Sequence, residues 1–422
     1  MLYNGLKIYK ELNDYHFHGA NFDLFGAIYE EFASQTKKKE FGEFYTRRHI
    51  TGMVAGILLR DELNPRKLRI CDPACGAGGF LTEAYKSLVT NYSSLGRLND
   101  DVIKGLREEI FWGYDNDEKS VARTQLNMFL VGDGHINIHE IDDSLVGWQD
   151  EIGWTENRFD YIMTNPPMGK YDGEARMEDF TFTNESRYEM LFVEKVIKAA
   201  KPGGEIAIIV NDGALEAPSR ENFRKRLLKH CNIHVIISLT KFAFAPYTKE
   251  KTYILFMQRK QVPGEFQTFP IWHFILDYDG YANSDKRYKT KYHNDIAELE
   301  QKFDGAVKLA RLFESNGDIF EHGRNNLERE CHDREKEEGL WGYKCRYVDM
   351  EEVSEENFHN LLSEFYLRPV VIDRIREEEF DDLIANIAEK VSLLEKDIRT
   401  LSSSIHGDSD EDDLGTLRLF SW

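Results

Sequence analysis

The chain has 422 residues, of which 41% are hydrophobic and 13% aromatic, with a formal net charge of -21 at pH 7. That length holds one large α/β domain with smaller additions, and the apolar content excludes wholesale disorder. The acidity argues against a chain that grips nucleic acid unaided, because phosphate contacts need cationic surface.

The acid is unevenly spread. Residues 1–260 carry 34 basic and 38 acidic side chains, a net of -4, whereas residues 261–422 carry 20 and 37, a net of -17. No apolar run approaches bilayer length, and the N-terminus MLYNGLKIYKELNDYHFHG lacks the basic-then-apolar layout of a secretory signal. The five cysteines are few, odd in number and without paired zinc spacing, so a reduced, cytoplasmic protein without membrane contact or structural metal is expected.

In chain order, DLFGAIYEEFASQ (Asp23 to Gln35) and ITGMVAGILLRDEL show apolar residues at helical spacing. KLRICDPACGAGGF reads as a strand running into a glycine-rich turn, with FLTEAYKSLVTNY as the next helix. EEIFWGYDND is a strand with an acidic end, followed by a helix from Glu118 to about Leu130. HINIHEIDDSL and FDYIMTNPP are two further strands. A helix LFVEKVIKAA, a turn KPGG and the strands EIAIIVN, HVIISL and KTYILFMQR complete the series. Strands separated by helices of this size predict an α/β fold, a mostly parallel Rossmann-like sheet covered on both faces.

Beyond Pro263 and Gly264 the alternation fades. QTFPIWHFILDYDGY forms a last strand or a small extension, and Glu321 to Gly339 is a charged, less ordered-looking stretch. Ile387, Val391, Leu394, Ile398, Leu401 and Ile405 are spaced by 4, 3, 4, 3 and 4, the stripe of a coiled coil or of a helix packed within its own chain. The expected division is a helical segment 1–42, a catalytic domain 43–262, an extension and charged connector 263–375, and a helical tail 376–422. RKRLLKH, Arg224 to His230, opens the most basic region of the first part, either a nucleic-acid patch or a solvated helix face.

Three motifs carry chemistry. In DPACGAGGF, Asp72 to Phe80, glycines after a strand let backbone approach a ligand; the spacing is not GxGxxG and lacks GK[ST], which favours a nucleoside-bearing cofactor over phosphate-held ATP. Asp115, at the next strand's end, stands where a carboxylate accepts from ribose hydroxyls. In NPPMG, Asn165 to Gly169, two prolines end the ladder in a stiff turn. There the Asn165 amide oxygen and the Pro166 carbonyl can both accept from one amino group.

DPACGAGGF, NPPM and FAPYTKEKTYILF resemble stretches of the modification subunit of type I restriction-modification systems, the N6-adenine DNA methyltransferases. EFYTRRHI, GYDND, QLNMFLVGDG and IDDSL fall in the same family's order, and the likeness covers about residues 20 to 260. The resemblance implies S-adenosylmethionine as cofactor. Asp72, Ala74, Gly76 and Gly78 would shape its methionine end, Asp115 and Asn116 its ribose, Asp143 and Ser144 its adenine, with Tyr45 and Thr46 closing over it. Asn165, Pro166, Pro167 and Met168 would form the catalytic motif, Asn165 also bordering the cofactor, and Phe242 or Phe244 would cover the flipped base. Met168 departs from the family, whose fourth motif position is usually aromatic. Only about 40 residues precede EFYTRRHI, and no large recognition domain is evident after Phe256. Both features imply that DNA specificity comes from a separate specificity subunit, with a second copy of the chain and a restriction subunit as further partners. The motif alone leaves open a protein glutamine or RNA amine as target, or a non-catalytic assembly protein.

Overall fold

The computed structural model of the chain describes residues 46–132, 137–337 and 343–368. The helical segment 1–42, Tyr45 and the tail 376–422 with its heptad stripe lie outside them. Among the described residues, no helix is long and apolar enough to cross a membrane.

The first element is helix α1 (Arg48–Leu58), whose Ile50, Met53, Val54 and Ile57 share one buried face. Strand β1 (Ile70–Asp72) leads through the glycine turn into α2 (Gly79–Ser94). Helix α3 (Asp100–Glu108) follows, which the pattern of apolar residues did not announce. Its signals are a cap, since Asn99 accepts from the Val102 N–H, and two acids, Asp100 and Asp101, in the first turn. Then come β2 (Phe111–Asp115), α4 (Glu118–Val131), β3 (Ile138–Glu140) and β4 (Phe159–Thr164). The series continues with α5 (Tyr188–Ala199), β5 (Ala200–Asn211), the short α6 (Asp212–Glu216), α7 (Glu221–His230), β6 (Cys231–Ser238) and β7 (Thr252–Arg259).

The sheet does not end at residue 262. Strand β8 (Ile271–Ile275) pairs parallel with β6, so this segment is a strand of the sheet, though not its last. A hairpin of β9 (Asp279–Tyr281) and β10 (Lys289–Asn294) stands apart as a two-stranded sheet. Helices α8 (Ile296–Ala310) and α9 (Gly317–Glu337), strand β11 (Cys345–Val348) and α10 (Ser363–Leu367) complete the fold. The charged stretch from Glu321 is therefore largely helical, not irregular. Its order is bought by Phe320, fully buried, and by Arg324, which donates to both oxygens of Asp349 at 3.0 and 2.8 Å.

Nine strands run in the order β11-β8-β6-β7-β5-β4-β1-β2-β3. Strands β1 to β5 pair in parallel, whereas β7 is antiparallel to both β5 and β6. Each central strand sends alternate side chains to two buried faces: Ala207 and Ile209 to one core, Ile206, Ile208 and Val210 to the other. Each fully buried aliphatic of this kind contributes about 1.5–3 kcal/mol, so a strand buried on both faces fixes its own register. KPGG, expected as a turn, is instead carried within β5, where the pairing jumps from Phe159↔Ala200 to Tyr161↔Glu205. It is a bulge that takes the extra residues out of the ladder. Cys71, Cys75 and Cys231 carry buried free thiols, whereas Cys345 is disulfide-bonded, which corrects the all-reduced reading.

Candidate active site

Chain order runs outward in both directions from β1, through β2 and β3 on one side and β4 and β5 on the other. The crevice at the carboxyl ends of β1 and β4 is therefore a topological switch point, where open α/β sheets bind ligands.

Asp72 ends β1 and is 1% exposed. Burial first, then the nearby Asp115 charge, pushes its carboxyl up to about 7, although the Ala74 N–H, 3.2 Å from Oδ1, pulls the other way. In the turn that follows, Gly76 and Gly78 hold φ of 54° and 74°, the left-handed region. A Cβ on Gly78 would lie 2.8 Å from Thr124 Cγ2, so this backbone must stay bare. The Gly76 N–H donates to Asp115 Oδ2 at 2.8 Å, and the Asp117 N–H to Oδ1 at 3.0 Å. Asp115 thus fastens the glycine turn to the end of β2. Asn116 beside it is exposed. Helix α4 holds the turn from behind: Thr124 Oγ1 donates to the Gly76 carbonyl at 2.8 Å and Asn127 to that of Ala77 at 2.9 Å. Sequence reasoning missed both, although each is a polar residue on the inner face of a helix that follows an acidic strand end.

After β3, Ser144 Oγ donates to the Pro73 carbonyl at 2.7 Å, so it positions the turn. Asp143 accepts the Leu145 N–H at 2.8 Å and the Tyr171 hydroxyl at 2.5 Å, which ties the segment after NPPMG to this side of the crevice. These residues suit a nucleoside with a polar tail: bare backbone at β1, one carboxylate at β2 and another beyond β3.

At the end of β4, the Asn165 Nδ2 donates to Thr46 Oγ1 at 3.1 Å. With its nitrogen turned to Thr46, the amide offers its carbonyl oxygen as acceptor. Thr46, expected to close over the cofactor, lies against Asn165. Asn165, Pro166, Met168, Phe244, Thr248, Glu250 and Thr252 line one half-open hollow. Pro167 points out to solvent and Phe242 is half-buried outside the lining, whereas Phe244 both joins the core and faces the hollow. Of the two phenylalanines, only Phe244 is brought to the motif.

Two further features, one in the lining and one behind it, escaped the sequence. Thr252 is 1% exposed and its hydroxyl has no hydrogen-bond partner among the described residues. Glu189, fully buried, accepts the Gly169 N–H at 2.9 Å, Arg187 Nε at 2.7 Å and Asn211 Nδ2 at 3.2 Å; Asn211 Nδ2 also reaches Glu250 at 3.1 Å. One buried carboxylate thereby pins the NPPMG turn to the opposite wall of the hollow. The RKRLLKH run is no nucleic-acid patch at Arg224, which is buried and donates to the carbonyls of Phe358, His359, Ala214 and Ala217.

A sheet of this order with β7 antiparallel, a glycine turn after β1 and an acidic end to β2 defines a Rossmann-like S-adenosylmethionine-dependent methyltransferase fold. Within that class the chain belongs to the N-6 DNA methylase family, whose model matches residues 20–369. Membership implies dependence on S-adenosylmethionine. The methylase subunit of the type I restriction enzyme EcoEI from Escherichia coli is 29% identical over 302 residues, covering 69% of this chain and 57% of that one. The type II methyltransferase M.VspI from Vibrio sp. (strain 343) is 29% identical over 244 residues, covering 56% and 52%. A solved type I restriction-modification methyltransferase subunit from Streptococcus thermophilus superposes with a TM-score of 0.53 at 17% identity, covering 77% of this chain and 59% of that one. The chain thus spans little more than half the length of the curated relatives it matches.

Proposed function

We propose that this chain transfers the methyl group of S-adenosylmethionine to the exocyclic N6 of adenine in DNA, as the modification subunit of a restriction-modification complex with a separate specificity subunit. The observation that carries this reading is the Thr46–Asn165 bond at a hollow walled by Pro166, Met168 and Phe244.

When bound, S-adenosylmethionine would supply an electrophilic methyl group, its bond to sulfur breaking as the bond to N6 forms. The chain's own part is to hold the amine. Asn165 Oδ1 and the Pro166 carbonyl accept its two N–H groups, which localises the nitrogen lone pair away from the ring and toward the donor. Stiff proline backbone and the Glu189 anchor keep those acceptors in place, so orientation supplies much of the rate. Met168 and Phe244 give the base apolar cover; a polarizable thioether replaces the aromatic face of other family members. The base must leave the duplex stack to reach such a hollow. No general base is required, because the N6 proton becomes acidic only after transfer and leaves to water. On the cofactor side, Asp72, Ala74, Gly76 and Gly78 would take the methionine end, Asp115 and Asn116 the ribose, and Asp143 the adenine.

The relatives' names support the assembly: methylase subunits of type I restriction enzymes work within multi-subunit enzymes. A chain of net charge -21 suits a partner that brings the cationic groove, and the heptad stripe at 387–405 is its docking element. A second copy of the chain and a restriction subunit complete the proposed complex.

The test is product analysis. Duplex DNA is incubated with the chain, its specificity subunit and S-adenosylmethionine, then digested to nucleosides. N6-methyldeoxyadenosine is the expected product; methylated cytosine, or label only on protein glutamine or RNA, overturns the reading.

A further inference from the structure

We propose that the β9–β10 hairpin is the chain's own contact with the DNA backbone, gripping phosphates beside the hollow that receives the everted base. The proposal rests on the DNA reading above and adds to it a surface that no motif marks.

The first observation is charge against its background. Residues 261–422 are strongly acidic, yet residues 281–294, YANSDKRYKTKYHN, hold four basic residues (Lys286, Arg287, Lys289, Lys291) and one acid (Asp285). The second is placement. His49 stacks on Tyr281 with ring centroids 4.5 Å apart, and Arg47 lies 5.6 Å from the same ring. These two follow Thr46, the partner of Asn165. On the other side Thr240 Oγ1 donates to Asn283 at 2.9 Å, and Lys249 pairs with Asp285 at 2.9 Å. Lys249 sits between Thr248 and Glu250, both of which line the hollow. Arg47 Nη2 closes the ring by donating to the Ala245 carbonyl at 2.9 Å. The hairpin therefore borders the mouth of the site through both segments that build it.

The third observation is how its charges divide. Asp279, 1% exposed, takes Arg287 and His49 as partners, so the base of the hairpin is an internal ion cluster that fixes its pose. Lys286 and Lys289 are exposed and join no ion pair among the described residues, and Tyr288 between them is 65% exposed. Three other cations near the site are already paired: Lys251 with Glu364, Lys249 with Asp285 and Arg48 with Glu83. Two unspent lysines flanking a protruding aromatic ring match a phosphate–sugar strand, with the ring against deoxyribose or an unstacked base. The partner is thus duplex DNA, at the strand that surrenders its base.

The experiment uses the full chain with its specificity subunit. Duplex affinity is measured between about 50 and 200 mM salt for the wild type, for Lys286→Ala/Lys289→Ala, and for the charge-matched control Lys67→Ala/Lys104→Ala. Each lost phosphate contact lowers the slope of log K against log salt by about 0.9, so the hairpin variant is expected to lose about 2 in slope and to bind about 10-fold more weakly at low salt. S-adenosylmethionine binding reports that each variant is folded. Wild-type slope and affinity in the hairpin variant, or an equal loss in the control, overturn the inference while leaving the DNA reading intact. A wild-type complex that neither binds nor methylates duplex DNA overturns both.

Discussion

Glu189 is the residue on which the pose of the NPPMG turn depends. Its carboxylate is fully buried and serves three donors: the Gly169 N–H at 2.9 Å, Arg187 Nε at 2.7 Å and Asn211 Nδ2 at 3.2 Å. The hydrogen bond from Arg187 is also what holds that guanidinium above its ordinary value. Glu189→Ala leaves the Gly169 N–H and Arg187 Nε without this acceptor, while Asn211 keeps Glu250. With Arg187 partly exposed, the cost falls at or below the lower end of the about 3–5 kcal/mol of a broken buried pair. Glu189→Gln keeps the shape and one oxygen but sets an NH2 against donors, a loss of about 2 kcal/mol, the worth of one charge-assisted bond. That loss is small enough for the variant to remain folded. The functional effect should exceed the structural one, because displacing the turn by about 1 Å can cost about 100-fold in rate. Denaturant titration and single-turnover transfer to duplex DNA are measured on Glu189→Gln with the specificity subunit, beside S-adenosylmethionine affinity. The expected pattern is a midpoint shift of about 2 kcal/mol, transfer down by about 10- to 100-fold, and cofactor affinity within a few-fold of wild type. A variant as stable and as fast as wild type would refute the anchoring argument. Equal losses in cofactor affinity and transfer would show instead that Glu189 supports the whole crevice.

Two further outcomes follow from single groups. Asp72 keeps its proton up to a pH of about 7 because burial disfavours the carboxylate, whereas the unfolded chain gives it up near 3.8. Between those values the folded state binds more protons, so this group's contribution falls as pH rises and is flat above about 7. Relative to wild type, Asp72→Asn should gain about 2 kcal/mol of stability from pH 5.5 to 8 by urea denaturation, and parallel profiles would contradict the assignment. Thr252→Val removes a buried hydroxyl that has no partner among the described residues, so thermal stability should hold or rise. If that hydroxyl meets the base, kcat/KM for DNA falls about 5- to 10-fold, and an unchanged value would make it a packing residue only.

The alternation of apolar runs and helical stripes was enough to read most of the sheet, because strands buried on two faces leave few other solutions. EIAIIVN and KTYILFMQR could be placed only as strands, and the glycine turn followed from residue types that permit left-handed backbone. What escaped was set by tertiary contact. Helix α9 looked irregular because its composition is charged, and Arg324 is held by the distant Asp349 as well as by Glu321 and Glu328 of its own helix. Glu189 and Thr252 carry no local signature either: one is a helix-start acid, the other a strand residue, and their importance comes from Gly169 and the hollow. The meeting of Thr46 with Asn165 was not legible either, since no spacing predicts that a segment 119 residues away would reach it. Likewise nothing local separates Phe242 from Phe244, two residues apart in one loop; the fold alone decides which one faces the motif.

The central claim is that Asn165, turned by Thr46, holds an amino group for methyl transfer. The most direct measurement is transfer of labelled methyl from S-adenosylmethionine to adenine-containing duplex DNA, with and without the specificity subunit, for wild type and Asn165→Ala. The account predicts label at adenine N6 only when the partner is present, a loss of at least about 100-fold in the variant, and cofactor binding retained by both. Cofactor binding without transfer to any duplex, even with the partner present, would contradict it and leave a methyltransferase fold kept for assembly.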